Sequence, residues 1–247
     1  MIVLFGFLAL LLGLPCAQDS QPVPAAPPHL EGRDLADARA LIERVAKGLQ
    51  GVERMHADFT QEQHTALLNK ALSSAGRLSL RASPGCLVLE LSRPKHAFVR
   101  SDTTSHRVYY PADKRAERYQ FESNDLAKGL FSIMTARIAS IEETFQLTGL
   151  KRGAEQSVIE LRLRKATKQR ILDSLSITVD NKHAGLLGLA FVNADGEKTT
   201  LRLSHLRRIT AASSAEERAL EADVFDRPLP KNVRVVVHRV PRRSKGE

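Results

Sequence analysis

Run after run of this chain alternates apolar with polar side chains, the period of a strand with one buried face. Met55, Ala57 and Phe59 alternate with polar neighbours; so do Leu78 and Leu80, then Leu87, Leu89 and Leu91, then Val108 and Tyr110. The pattern returns at residues 158–164, 175–179, 187–192 and 201–203. Turn chemistry separates the runs: Ser83-Pro84-Gly85, Arg93-Pro94, Asp180-Asn181 and Asp195-Gly196. Short strands at near-hairpin spacing predict an antiparallel meander. Two stretches break the period. Leu35, Ala38, Leu41, Ile42, Val45 and Leu49 recur at three and four residues, an amphipathic helix with Asp34 as its N-cap and Gly48 and Gly51 at its exit. In residues 123–140, Leu126, Leu130, Ile133, Met134 and Arg137 read as a second helix. The expected architecture is an α+β domain: one helix, about six strands, a helical insertion, then about five strands. It amounts to a single curved antiparallel sheet with helices covering its concave face. Whatever volume the helices leave there is room for something apolar.

The ends of the chain read differently. Residues 1–15 carry no charged side chain and are shorter than the roughly 20 apolar residues of a bilayer span. They read as the core of a signal peptide occupying residues 1–17, which sends the protein to the periplasm. An uncleaved anchor and acylation at Cys16 are the alternatives. Residues 18–33 hold four of the eleven prolines and read as an extended linker. The domain proper is residues 34–238, and 239–247 form a basic tail. From Lys231 to Glu247 there are six basic side chains against one glutamate, a large part of a net charge of +9. Charge of that kind steers encounter with an anionic membrane surface or an acidic partner. Aromatics are only 5% with no Trp, so base stacking, and with it nucleic acid, is not expected.

Enzyme signatures are missing. There is no Gly-x-Ser-x-Gly elbow, no His-Glu-x-x-His, no phosphate loop and no dinucleotide-binding glycine motif. Ser92-Arg93-Pro94-Lys95 matches Ser-x-x-Lys, but that motif needs a helix, and Pro94 sits in a strand–turn context. His56 and His64 fall eight residues apart in one strand, about 26 Å if extended, too far to share a metal. They are expected in solvent or in turns. The adjacent Glu142 and Glu143, taken as strand, point to opposite faces. Arg162, Arg164 and Arg202 alternate with leucines as on a solvated sheet face. Cys86, between Gly85 and Leu87, reads as a buried, inert thiol. No catalytic residue, metal or cofactor is expected.

In order along residues 35–237, several stretches resemble the LolA-type outer-membrane lipoprotein carriers. Met55-His56-Ala57-Asp58-Phe59-Thr60-Gln61 resembles the family's F-x-A-x-F-x-Q strand, and Gly76-Arg77-Leu78-Ser79-Leu80-Arg81 its G-x-L-x-x-K/R strand. Val99-Arg100-Ser101-Asp102 with Val108-Tyr109-Tyr110-Pro111 resembles its hairpin, with Asp102-Thr103 where the family has glycine and no Trp. Residues 130–137 resemble the helix that follows, and 225–233 the terminal F-x-x-x-x-P-x-G-V. The resemblance implies an unclosed β-barrel with a helical lid. It also implies a monomeric periplasmic carrier that hides the acyl chains of a lipoprotein or lipid cargo. Such carriers take cargo from an inner-membrane ABC transporter and pass it to an outer-membrane receptor. A lipid-sensing or regulatory binding module of the cell envelope is the alternative. The expected lipid-binding residues are Leu78, Leu80, Leu87, Leu89, Leu130, Ile133 and Met134, with Arg81 as the match for a family arginine near the cavity mouth. Strand alternation places Arg81 opposite the leucines unless a bulge before Pro84 turns it inward; both readings stand.

Overall fold

A computed structural model describes residues 30–65, 70–83, 85–120, 133, 138–164, 172–193, 196–220 and 222–239 of the 247. The expected signal peptide, most of the Pro-rich linker, Cys16, Leu126, Leu130, Met134, Arg137 and the last eight residues lie outside that set. The alternating runs become strands, joined by two outside those runs, the fourth and the sixth: β1 (Val52–His64), β2 (Leu72–Arg81), β3 (Cys86–Arg93), β4 (Ala97–Asp102), β5 (Ser105–Tyr110) and β6 (Arg115–Gln120). After the insertion come β7 (Phe145–Arg152), β8 (Gln156–Leu163), β9 (Ser174–Asp180), β10 (Leu186–Val192) and β11 (Lys198–Thr210). A twelfth strand, β12 (Arg234–Arg239), follows two short helices. All twelve form one unclosed sheet in the order β12-β6-β5-β4-β3-β2-β1-β11-β10-β9-β8-β7. The sheet is mostly antiparallel, but β12 lies parallel to β6. The helices are α1 (Gly32–Gly48), α2 (Ile138–Thr144), α3 (Ala215–Leu220) and α4 (Ala222–Asp226). Among the described residues, no helix is long and apolar enough to cross a membrane.

The chain divides into two compact units. The first holds residues 1–49, 62–72 and 132–202. Its strands present an apolar face in register: Leu147, Leu161, Leu175 and Phe191 form one row across β7–β10. Leu150, Ile159, Ile177, Leu189 and Leu201 form the next, across β7–β11. Directly opposed β-branched and aliphatic side chains of this kind are the unit of sheet stabilisation. Arg152 stands in register with Ser157 and, through it, Val179, on that same face. Its guanidinium reaches Asp34 and Asp37, each at 2.7 Å, and draws α1 over this side. The helix buries the stripe Ala38, Leu41, Ile42 and Val45, four of the six positions read from the sequence.

Three local expectations change. The helix begins at Gly32 with Glu31 at the N-cap, and no side chain caps it. Asp34 is in the first turn, where a carboxylate suits the helix N-terminus, and it pairs with Arg152. Glu142 and Glu143 lie on α2, not on a strand, and Glu142 pairs with Arg39 of α1 at 2.7 Å. The helix α2 ends at Thr144, four residues past the expected end at Ser140.

The second unit holds residues 50–61, 73–131 and 203–247. Its β4–β5 hairpin is closed by an aspartate. Asp102 Oδ1 accepts the backbone N–H groups of Thr104 at 2.9 Å and Ser105 at 2.7 Å, making a side-chain turn where the family uses glycine.

Candidate functional site

The register of the second unit sorts its residues onto two faces. On one, Leu78 stands opposite Leu89, and Leu89 opposite Val99, which faces Val108. Leu80 stands opposite Leu87, which faces Ser101, then His106 and Tyr119. Leu91 faces Ala97. Four of the expected lipid-binding residues, Leu78, Leu80, Leu87 and Leu89, thus form a square on β2 and β3, none more than 3% exposed. This leucine face is apolar over β2 and β3 and over Ala97 and Val99 of β4, and becomes polar from Ser101 toward β6, where Glu117 accepts hydrogen bonds from Arg115 and from the Tyr119 hydroxyl at 2.8 Å. Ile133 is buried, at 3%. Leu130 and Met134 lie outside the described residues.

Arg81 is not part of that square. The β2–β3 register shifts only at Ala75/Gly76, so Arg81 pairs with Cys86 and shares the opposite face with Arg77 and Ser79. There it lies over the Phe225 ring, 5.2 Å from its centroid, and binds Asp226 at 3.1 Å. The bulge that would have turned it toward the leucines does not form, because Ala82, the next residue, donates its N–H to the Glu53 carbonyl at 3.0 Å and stays in line.

On this second, arginine-bearing face the sequence reading missed a well-defined cover. Phe225 of α4 is 1% exposed and packs on Cys86 and Val88. Arg100 Nε donates to the Phe225 carbonyl at 2.9 Å, and its Nη1 binds Asp102 at 3.1 Å. So α4 lies on the face away from the leucines, whereas all helices were expected on one side. His56, expected in solvent, is 1% exposed, with Nδ1 2.8 Å from the Ser79 hydroxyl. His64 is exposed, as expected. The signal for His56 was its neighbours: Met55 and Ala57 bury one face of β1, and a strand covered on both faces buries its alternate residues too. Burial raises the Cys86 thiol pKa, as fits an inert cysteine.

Two buried Ser–His pairs, His56–Ser79 and His106–Ser101 (Nδ1 to Oγ, 2.6 Å), face opposite sides of the sheet. His106 is held neutral: burial pushes its pKa down to about 4, against a smaller upward pull from Asp102. Both serines and both histidines are at most 2% exposed. Among the described residues, no group of His, Cys, Asp and Glu is placed to hold a metal.

Several solved structures are similar to the chain. An uncharacterised conserved protein from Thermus thermophilus aligns at 13% identity over 82% of this chain and 99% of that one, with a TM-score of 0.47. A LolA superfamily protein from Nitrosomonas europaea aligns at 10% identity over 73% and 96%, with a TM-score of 0.34. The lipoprotein LppX of Mycobacterium tuberculosis aligns at 11% identity over 72% and 99%, with a TM-score of 0.38. No curated protein sequence matches. The family model for the outer membrane lipoprotein carrier protein LolA matches residues 50–216, from just before β1 into α3 and well over half the chain. By that match, the chain belongs to the LolA family.

Proposed function

We propose that this protein is a non-enzymatic periplasmic carrier that shelters the acyl chains of a lipoprotein, or a related lipid, against the leucine face of β2–β4. The observation that carries the reading is the register itself: Leu78–Leu89, Leu80–Leu87, Leu89–Val99 and Leu91–Ala97 make a continuous hydrocarbon surface, unbroken by charge. Membership of the carrier family supports it. Each buried CH₂ contributes about 0.8 kcal/mol, so a sixteen-carbon chain gains about 12 kcal/mol on leaving water. No catalytic group is required for that. The leucines are already covered, so cargo enters by displacing what covers them. Leu130, Ile133 and Met134 are proposed as further contacts of the same acyl chains. Transfer from an inner-membrane ABC transporter to an outer-membrane receptor then needs only a difference in affinity between successive holders.

The test is mass spectrometry of lipids on protein purified without detergent, paired with extraction of an acylated lipoprotein from membrane vesicles. A bound acyl lipid and extraction above a heat-denatured control are expected. Clean protein that extracts nothing overturns the proposal.

A further inference from the structure

The strand β12 ends the sheet, and its outer edge has no strand partner among the described residues. Its sequence is Arg-Val-Val-Val-His-Arg, with no acidic side chain. Val235 and Val237 are 46% and 52% exposed, the two large apolar side chains left open among the described residues. Natural edge strands are usually shortened, bulged or covered, because unpaired N–H and C=O groups beside apolar side chains template another strand. Here the edge is kept straight. The His238 ring stacks on Tyr119 of β6, with centroids 4.5 Å apart and planes 14° apart. All six residues pair with β6 without a shift. The strand is ordered for pairing yet paired on one side.

Charge says what kind of strand would fit. The flanking Arg234 and Arg239 are exposed. Next to Val237 in register stands Arg118, then Arg107, then Arg100, three arginines directly opposed on adjacent strands. Like charges facing across a ladder repel. Asp102 neutralises Arg100, but among the described residues Arg107 reaches no carboxylate and donates to the Arg227 carbonyl at 3.2 Å. Arg118 has no acidic partner among the described residues. Burial lowers the Arg107 pKa, and Arg100 and Arg118 lower it further. This end of the sheet carries uncompensated positive charge. A second copy of the chain suits it poorly: two β12 strands pairing antiparallel about a two-fold axis would set Arg234 against Arg239 at both ends.

We infer that the free edge of β12 is a docking site for an extended acidic segment of another protein, which adds as a further strand with apolar side chains beside Val235 and Val237 and carboxylates against Arg234 and Arg239. Main-chain hydrogen bonds supply affinity in such strand addition, and the side chains supply selectivity. The positive row behind the valines steers encounter, so association weakens with salt. The site is separate from the leucine face, and the inference does not depend on lipid being the cargo.

The probe is a fluorescent peptide of alternating valine and threonine with glutamates at each end, titrated into the full chain and read by anisotropy. Three results are expected: saturable binding, loss of binding for the same peptide with alternate amides N-methylated, and at least about tenfold weaker binding to the Arg234→Glu/Arg239→Glu double variant. A lysine-ended peptide should bind that variant better than the natural protein. Equal binding of the N-methylated peptide overturns strand addition, and equal binding by the double variant overturns the charge match. Binding that appears only after residues 240–247 are removed makes the chain's own tail the occupant. A dimer that the peptide disperses makes a second copy the occupant. Either of these last two outcomes also overturns the inference.

Discussion

At His106 a single side chain ties the interior to pH. Burial lowers its pKa from 6.5 to about 4, with Asp102 opposing in part. The unfolded chain takes up a proton on this imidazole near pH 6.5, whereas the folded chain refuses it until near pH 4. Stability from this group is therefore complete above pH 6.5 and is lost as the pH falls toward 4, by about 3 kcal/mol at full extent. The urea midpoint should drop between about pH 7.5 and about pH 5, and His106→Gln should flatten much of that drop; an equal slope in the variant would mean other groups set it. Phe225 makes a second residue-scale prediction. Phe225→Ala should cost about 3–5 kcal/mol in urea unfolding and expose Cys86 to a thiol reagent that the natural protein resists. Neither site was legible in the sequence. His56 and His106 look like ordinary polar positions of a strand, and only knowledge that both sheet faces are covered makes them interior. Phe225 was noticed as part of a terminal motif, but its partners Cys86 and Arg100 lie more than a hundred residues away, and no local pattern records that. Arg81 shows another case: the sequence left two readings of it open, and the register sets it on the face of Arg77 and Ser79, as its strand parity allowed.

Elements formed where the period was clean, and their boundaries moved where tertiary bonds intervened. The alternating runs became β1–β3, β5 and β8–β11, because a half-buried strand needs only that pattern; β4, β6 and β7 lie outside the named runs. Strand β12 escaped because Val235, Val236 and Val237 are consecutive and show no alternation; it is exposed on both faces and needs none. The helix α1 starts at Gly32, two residues before the expected cap Asp34, which pairs with Arg152. The apolar stripe, rather than that ion pair, should carry the docking of α1. Ile42→Ala should cost about 2–5 kcal/mol, while Arg152→Ala should barely shift the urea midpoint, since its partners Asp34 and Asp37 are 55% and 41% exposed. Gly76 offers a sharper test of register. A Cβ there would strike the main-chain carbonyl of Glu90, where β2 and β3 shift by one residue. No rotamer relieves a main-chain clash, so Gly76→Ala should destabilise by about 1–3 kcal/mol. A neutral result would mean the two strands slide to accept it. The glycine that opens the G-x-L stretch is thus explained by close approach of two backbones.

For the whole molecule, the question is whether the leucine face is a packed core or a place that hydrocarbon enters. Burial alone does not separate these, since Leu78, Leu80, Leu87 and Leu89 are covered in either case. Linkage does. A ligand that binds only the folded chain stabilises it by RT ln(1 + [L]/Kd), about 2.7 kcal/mol at a hundred times Kd. In a chain of this length each kcal/mol moves Tm by about 2–4 °C, so a saturating acyl probe should raise Tm by about 5–10 °C. Leu89→Ala lowers stability through its cavity under both readings, by about 2–5 kcal/mol. The readings part over the probe. If the face takes up hydrocarbon, Leu80→Phe and Leu89→Phe, which add volume there, should reduce the Tm shift caused by the probe while the free proteins still unfold cooperatively. If the leucines only pack against their own chain, the same variants change the starting Tm and leave the increment untouched, or no increment exists at all. The increment, measured by calorimetry with and without probe, isolates binding from folding, because each variant serves as its own reference.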